Sequence, residues 1–230
     1  MLEVAIKKQM PGFTLSAEFS CRNGQLVVFT GPSGAGKTTL IRILAGLESA
    51  DQGSICYQGR TWYDSARGIH LPPKSRELGY VFQEHTLFPH LSVKGNVGFM
   101  QKNPNKVNAL LRVFKIQHIA DHKPHQISGG ERQRTAFAQA LAKDPKLLLL
   151  DEPFSALDSA TRNRLQYELK KLRDKLSIPI LHVTHDLTEV EYLADKIVHI
   201  DRKFPVPRYE QPKTENKVQS ALKYFKSVAY

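Results

Sequence analysis

Eight residues between an aliphatic run and a helical pattern, Gly31, Pro32, Ser33, Gly34, Ala35, Gly36, Lys37 and Thr38, follow the spacing G-x-x-x-x-G-K-[ST]. The glycines let successive backbone N–H groups close around a polyanion, and the helix that starts there adds positive potential. Such a loop suits the phosphates of a nucleoside triphosphate. Lys37 would reach the β and γ phosphates, Thr38 would offer its hydroxyl to Mg²⁺, and Thr39 follows in the same cradle. A second run, Leu147, Leu148, Leu149 and Leu150, ends in Asp151 and Glu152. Acids at the mouth of a buried strand are what a phosphate loop needs beside it. Asp151 would orient the magnesium shell, and Glu152 would polarise an attacking water as general base. Kinases, GTPases and other triphosphatases share those two features. A third run, Ile127, Ser128, Gly129, Gly130, Glu131, Arg132 and Gln133, has the Ser-x-x-Glu spacing of a helix capping box. Its hydroxyl and free N–H groups at a helix start also make a second anion site.

These residues need a sheet to hold them. Residues 26–30, 146–150 and 178–183 read as buried parallel strands, each followed by a polar loop and a helical pattern. That alternation predicts an α/β fold whose ligand sits at the carboxyl ends of the strands. Leu2, Val4 and Ile6 alternate as an initial strand would, and residues 53–63 and 79–82 add short strands. Between Gln83 and Asp144 helical spacing takes over, as in Val107, Leu110, Leu111 and Phe114. This predicts a mostly helical subdomain, about residues 84–144, inserted into the core. Three prolines in 204–212 break regular structure before a last helix-like stretch, about 215–227.

The chain has 230 residues, 41% of them hydrophobic, enough for a core without disulfide or metal staples. Cys21 and Cys56 stand far apart and read as reduced thiols of a cytosolic protein. The start lacks the apolar core of a signal peptide, and no aliphatic run is long enough to span a bilayer. The formal net charge of +11 gathers in 102–123, 162–175 and 202–226. It suits nucleic acid or the anionic face of a membrane, and alone selects neither. The spacing of His118 and His122 permits a metal on one helix face, with His125 nearby; scattered surface histidines are the plainer reading.

Together with the phosphate loop and the acid-ended strand, the run from Ile127 to Gln133 resembles the signature motif of ATP-binding-cassette proteins, whose usual first residue is Leu. The rest of that family's pattern stands in order. Gln83, after Tyr80, Val81 and Phe82, resembles the Q-loop glutamine that touches Mg²⁺ and water. Ser155, Ala156, Leu157 and Asp158 resemble the D-loop, and His185 resembles the switch histidine that contacts the γ-phosphate. The resemblance covers about residues 1–200 and leaves a short basic extension, 201–230, too short for the regulatory domain that importer ATPases often carry. It implies an α/β fold: a P-loop NTPase core with a parallel sheet, an antiparallel β subdomain and the inserted helical subdomain. It implies ATP hydrolysis with Mg²⁺, with Glu152, His185 and Gln83 as catalytic groups and Thr38, Gln83 and Asp151 around the metal. It also implies a head-to-tail homodimer, in which Ser128, Gly129 and Gly130 of one subunit close over ATP held by Lys37 of the other. Where family members usually stack adenine on an aromatic residue, alignment puts Lys8, and Phe13 is the nearest aromatic.

Within the family, Gly68 to Arg76, Leu78 to Gln83 and Leu87 to His90 are similar to bacterial importer ATPases. Trp62, Tyr63, Asp64 and Ser65 together with Gly79 to Gln83 look most like the members that import molybdate. The resemblance then implies membrane permease subunits as partners, a periplasmic or extracellular solute-binding protein acting indirectly, and no specific nucleic acid. The place would be the cytoplasmic face of the cell membrane, peripherally held. Sulfate, iron, polyamine or sugar importers, a cassette ATPase acting on nucleic acid, and a P-loop kinase are the alternatives. Leu87, Phe88 and Leu91 would either fill the core or line a groove for a permease helix.

Overall fold

A long antiparallel pair opens the chain. Strands β1 (Leu2–Met10) and β2 (Phe13–Cys21) pair from Leu2 opposite Cys21 to Met10 opposite Phe13. Their inward residues, Leu2, Val4, Ile6, Leu15, Ala17 and Phe19, are buried at every second position, the period of a half-buried sheet. The computed structural model describes residues 1–83, 87–155 and 157–202, with the backbone of 208–210. After β3 (Leu26–Thr30) and helix α1 (Lys37–Ala45), strands β4 (Gln52–Tyr57), β5 (Arg60–Asp64) and β6 (Ile69–His70) return to the first pair. The result is an antiparallel sheet in the order β2-β1-β4-β5-β6.

The second sheet carries the runs singled out in the sequence, residues 26–30, 147–151 and 180–183. It takes β7 (Leu78–Val81), then, after three helices, β8 (Leu147–Asp151). Those helices are α2 (Val93–Gly98), α3 (Pro104–Val113) and α4 (Gly129–Leu141). Helix α5 (Ser159–Leu176), β9 (Ile180–Val183), α6 (Leu187–Leu193), β10 (Lys196–His199) and β11 (Arg208–Glu210) follow. The order is β11-β10-β3-β9-β8-β7, parallel from β10 to β7.

Strands β3, β8 and β9 are buried along their whole length, as a parallel sheet covered on both faces requires. Their side chains alternate between two cores. Val27, Phe29, Leu147 and Leu149 pack toward α1 and the antiparallel sheet, through Leu40, Ile41 and Leu44. Leu26, Val28, Leu148 and Leu150 pack toward Val97, Leu111 and Phe137 of the helical layer.

The C-terminal stretch differs from expectation: Arg208–Glu210 runs antiparallel to β10 inside the proline-containing segment. Proline is tolerated at a sheet edge, where one side of the strand needs no ladder bonds. The helix-like stretch 215–227 lies outside the described residues. Among the described residues, no helix is long and apolar enough to cross a membrane.

Candidate functional site

Because β3, β8 and β9 are parallel neighbours, the loops that leave their carboxyl ends open on the same side of the sheet. The loop after β3 turns into α1 at Gly36, whose φ of +95° is costly for any residue with a Cβ. No side chain caps that helix start, and its first turn holds no acid. Helices α2, α4, α5 and α6, by contrast, are capped by Ser92, Ser128, Asp158 and Asp186. The N–H groups at the start of α1 are therefore left to a ligand.

Lys37 lies folded into this loop, its ammonium donating to the carbonyls of Gly31 (2.8 Å) and Pro32 (3.0 Å). Burial pushes its pKa down, and the carboxylates of Glu152 and Asp151 pull it back up. Thr38 donates its hydroxyl to Asp151 Oδ1 at 3.3 Å, across 113 residues of sequence. The other carboxylate oxygen accepts from the Tyr80 hydroxyl at 3.4 Å. Burial pushes the Asp151 carboxyl above its ordinary range, with the Thr38 bond opposing and the Glu152 charge adding to the rise. Tyr80 is pushed up by burial and by the Asp151 charge, so its hydroxyl stays a donor. A hydroxyl and a carboxylate brought together, both hard oxygen donors, fit Mg²⁺.

Glu152 is held in an uncommon backbone state, with φ at +45°. A left-handed non-glycine residue costs roughly 1–2 kcal/mol, and local bonds hold it there. Its N–H donates to Val183 at the end of β9, and its carbonyl accepts from Ser155 N–H and Oγ. The turn aims the side chain at two groups from other strands. Gln83 Nε2 donates to Glu152 Oε2 at 3.5 Å, and His185 Nδ1 lies 3.2 Å from the same oxygen. The His185 ring stays largely open to solvent, with 65% of its side chain exposed. Three expected catalytic groups, from the ends of β7, β8 and β9, thus meet at one oxygen.

The loop 155–158 carries Asp158, which caps α5 through the Thr161 N–H; Ala156 lies outside the described residues. Arg162, which sequence reasoning passed over, ties this loop to the His185 loop. It donates to Leu157 O at 3.1 Å and to Asp186 Oδ2 at 2.8 Å. Beneath them His182 and Glu189 form a buried pair at 2.9 Å. Tyr80 and Arg162 sit inside runs already singled out, but partners 71 and 24 residues away leave no local pattern.

The capping box at Ser128 is real. Glu131 accepts from Ser128 N–H and Oγ, which holds its carboxyl below the ordinary range. Gly129 has open space where a side chain would stand. Among the described residues, no hydrogen bond or ion pair joins 128–130 to 31–38 of the same chain. Lys8 is occupied elsewhere, donating to Ser49 O and pairing with Glu48. His118 turns its Nε2 to Glu131. Of the trio following Gln83, Leu87 is in the core, Leu91 is half-buried, and Phe88 packs on the exposed ring of Phe99 at 4.3 Å.

The ABC transporter family model matches residues 15–155, which span the phosphate loop, Gln83, Ser128 and Asp151. The chain belongs to the ABC transporter family. Among curated members, it is 43% identical over 206 residues to a molybdenum import ATP-binding protein ModC of Albidiferax ferrireducens, covering 87% of this chain and 55% of that protein. A second ModC, of Paramagnetospirillum magneticum, is 41% identical with 87% and 57% covered. The chain thus spans little more than half the length of these relatives. A probable sulfate/thiosulfate import ATP-binding protein CysA of Chlorella vulgaris is 45% identical over 188 residues, covering 78% of this chain and 77% of that protein. The fold is that of a solved ABC member, the dimeric post-hydrolysis state of the ATP-binding cassette MJ0796 bound to ADP and Pi. The TM-score is 0.77 at 26% identity, with 93% of this chain and 100% of that one covered. The expected α/β core, with its parallel and antiparallel sheets and its helices, therefore stands.

Proposed function

We propose that this chain is the ATP-hydrolysing subunit of an importer, working as a head-to-tail dimer beneath membrane permease subunits. The observation that carries the reading is the convergence of Gln83 and His185 on Glu152, beside the Thr38–Asp151 pair. Residues 31–39, among them Lys37, Thr38 and Thr39, bind the phosphates through backbone N–H groups, the Lys37 ammonium and the Thr38 hydroxyl. Thr38, Asp151 and Gln83 would hold Mg²⁺, which supplies charge neutralisation at the phosphates when bound. Glu152 takes the proton of the attacking water, while Gln83 and His185 orient that carboxylate and the γ-phosphate. Ser128, Gly129 and Gly130 of the partner close the site, the two glycines with backbone N–H groups turned to the nucleotide, so nucleotide holds the dimer and hydrolysis releases it. On this reading residues 1–200 are the nucleotide-binding domain, 84–144 its helical insert and 201–230 a basic extension.

Identity to two molybdenum importers over most of the chain favours molybdate, with sulfate as the nearest alternative oxyanion. The subunit would sit peripherally at the cytoplasmic face of the cell membrane, reach a solute-binding protein only through the permease, and bind no specific nucleic acid. Glu152→Gln tests the chemistry: turnover stops, ATP still binds, and the trapped nucleotide holds a dimer visible by size-exclusion chromatography. Hydrolysis by Glu152→Gln near the wild-type rate would remove Glu152 as the base.

A further inference from the structure

One cation touches the phosphate loop from outside every motif described so far. Arg202 follows the end of β10 and donates from Nε to the carbonyl of Gly34 at 3.0 Å. Gly34 permits this approach: a Cβ there would stand 2.1 Å from the guanidinium. The same guanidinium lies over the ring of Phe13, 5.3 Å from its centroid. Phe13 is the first residue of β2, in the antiparallel sheet, so Arg202 bridges that sheet to the phosphate loop. Tyr80 and Asp151 stand at the proposed metal position, and Gln83 and His185 at the Glu152 carboxylate. A nucleotide gripped there by its terminal phosphates must lay its base elsewhere. Lys8, aligned with the usual aromatic, is held by Ser49 and Glu48.

We propose that the guanidinium plane of Arg202, backed by Phe13, is the surface on which the purine base of the bound nucleotide stacks. This rests on the proposed nucleotide site and adds to it a base contact from residue 202. A guanidinium is planar, weakly hydrated and stacks on aromatic faces, so a ring–guanidinium–base sandwich suits it. Its bond to Gly34 fixes the plane before the base arrives, which lowers the ordering cost of binding.

The test is equilibrium binding of ATP and of inorganic tripolyphosphate, each with Mg²⁺, to the full chain and its Arg202→Ala and Phe13→Leu variants. Arg202→Ala should weaken ATP roughly three- to thirty-fold, the span of a partly desolvated cation–π contact, and leave tripolyphosphate affinity unchanged. Phe13→Leu should weaken ATP in the same direction by less. Equal loss of both ligands would mean that the guanidinium serves the phosphates, and would overturn the stacking role. Unchanged or tighter ATP binding by Arg202→Ala would overturn it as well, leaving Arg202 a mere cover for Phe13. Failure of the wild-type chain to bind either ligand would instead sink the nucleotide-site reading, and the inference with it.

Discussion

Arg76 offers the sharpest test of how the phosphate-loop helix is anchored. Only 1% of it is exposed, and its guanidinium donates to Leu71 O, Ile43 O and Leu44 O, each at 2.8 Å. Two of those carbonyls belong to the last turn of α1, so a cation sits at the negative end of the helix that presents Lys37. Burial pushes the Arg76 pKa down to about 10, which leaves it charged at neutral pH. Arg76→Met keeps much of the volume and removes every donor. Ile43 O retains a bond from Gly46 N–H at 3.0 Å, so the loss falls on Leu44 O and Leu71 O. An orphaned buried acceptor costs about 1–3 kcal/mol, and the relieved guanidinium desolvation gives part of that back. We expect a net loss of about 3 kcal/mol. For a domain of this size that lowers Tm by about 6–12 °C. Urea unfolding followed by far-UV circular dichroism should show a lower midpoint with an unchanged slope. A loss below about 1 kcal/mol would refute the reasoning, because it would mean that the three bonds barely offset the buried charge.

Asp151→Asn should raise the stability of the ligand-free chain while abolishing Mg²⁺-dependent ATP binding, since burial and Glu152 already disfavour the Asp151 charge. The Asp151 pKa is raised on folding, so the gain should be full above that raised pKa. It should vanish as pH falls toward the ordinary carboxylate range, a trend that thermal melts at stepped pH would follow. Tyr80→Phe removes one donor from Asp151 and should weaken Mg²⁺ about five-fold, read from a metal titration of ATP hydrolysis. Mixing Lys37→Ala with Ser128→Arg subunits should restore one composite site per mixed dimer, measured as trapped nucleotide; well-formed mixed dimers that trap none would contradict the head-to-tail geometry. Phe88→Ala should leave folding and ATP binding intact but weaken co-purification with the permease and substrate-stimulated hydrolysis; wild-type transport would remove that groove.

The candidate site was legible where it depends on adjacent residues, and hidden where it depends on distant ones. A phosphate loop must be contiguous, because neighbouring N–H groups close on one anion, so residues 31–38 announce themselves. Strands β3, β8 and β9 were legible because burial on both faces forces unbroken aliphatic runs. Strand β2 is as long as β1 but escaped notice, since its inward positions mix Ala17 and Cys21 with Leu15 and Phe19. The positive φ of Glu152 has no sequence signal, because glutamate is not a left-handed residue by preference. Arg202 reads as one more cation of the basic tail, and Arg76 only as the end of a run similar to importer ATPases. Their acceptors are backbone carbonyls up to 168 residues away, and carbonyls leave no trace in side-chain identity.

The register of β8 on β9 sets Leu150 opposite His182 and Asp151 opposite Val183, so Glu152 and His185 leave adjoining strands in the middle of the sheet. Arg202 follows β10, beyond the strand that carries the phosphate loop and next to the edge strand β11. Hydrogen exchange should therefore be slower at the Val183 carbonyl's partner amide, Glu152, than at Ile200, whose amide bonds Thr30 O nearer the sheet edge. On warming, discrimination between bases should fade before hydrolysis does. On the proposed reading, the chain would turn promiscuous while still turning ATP over, and only the collapse of the central sheet would stop it.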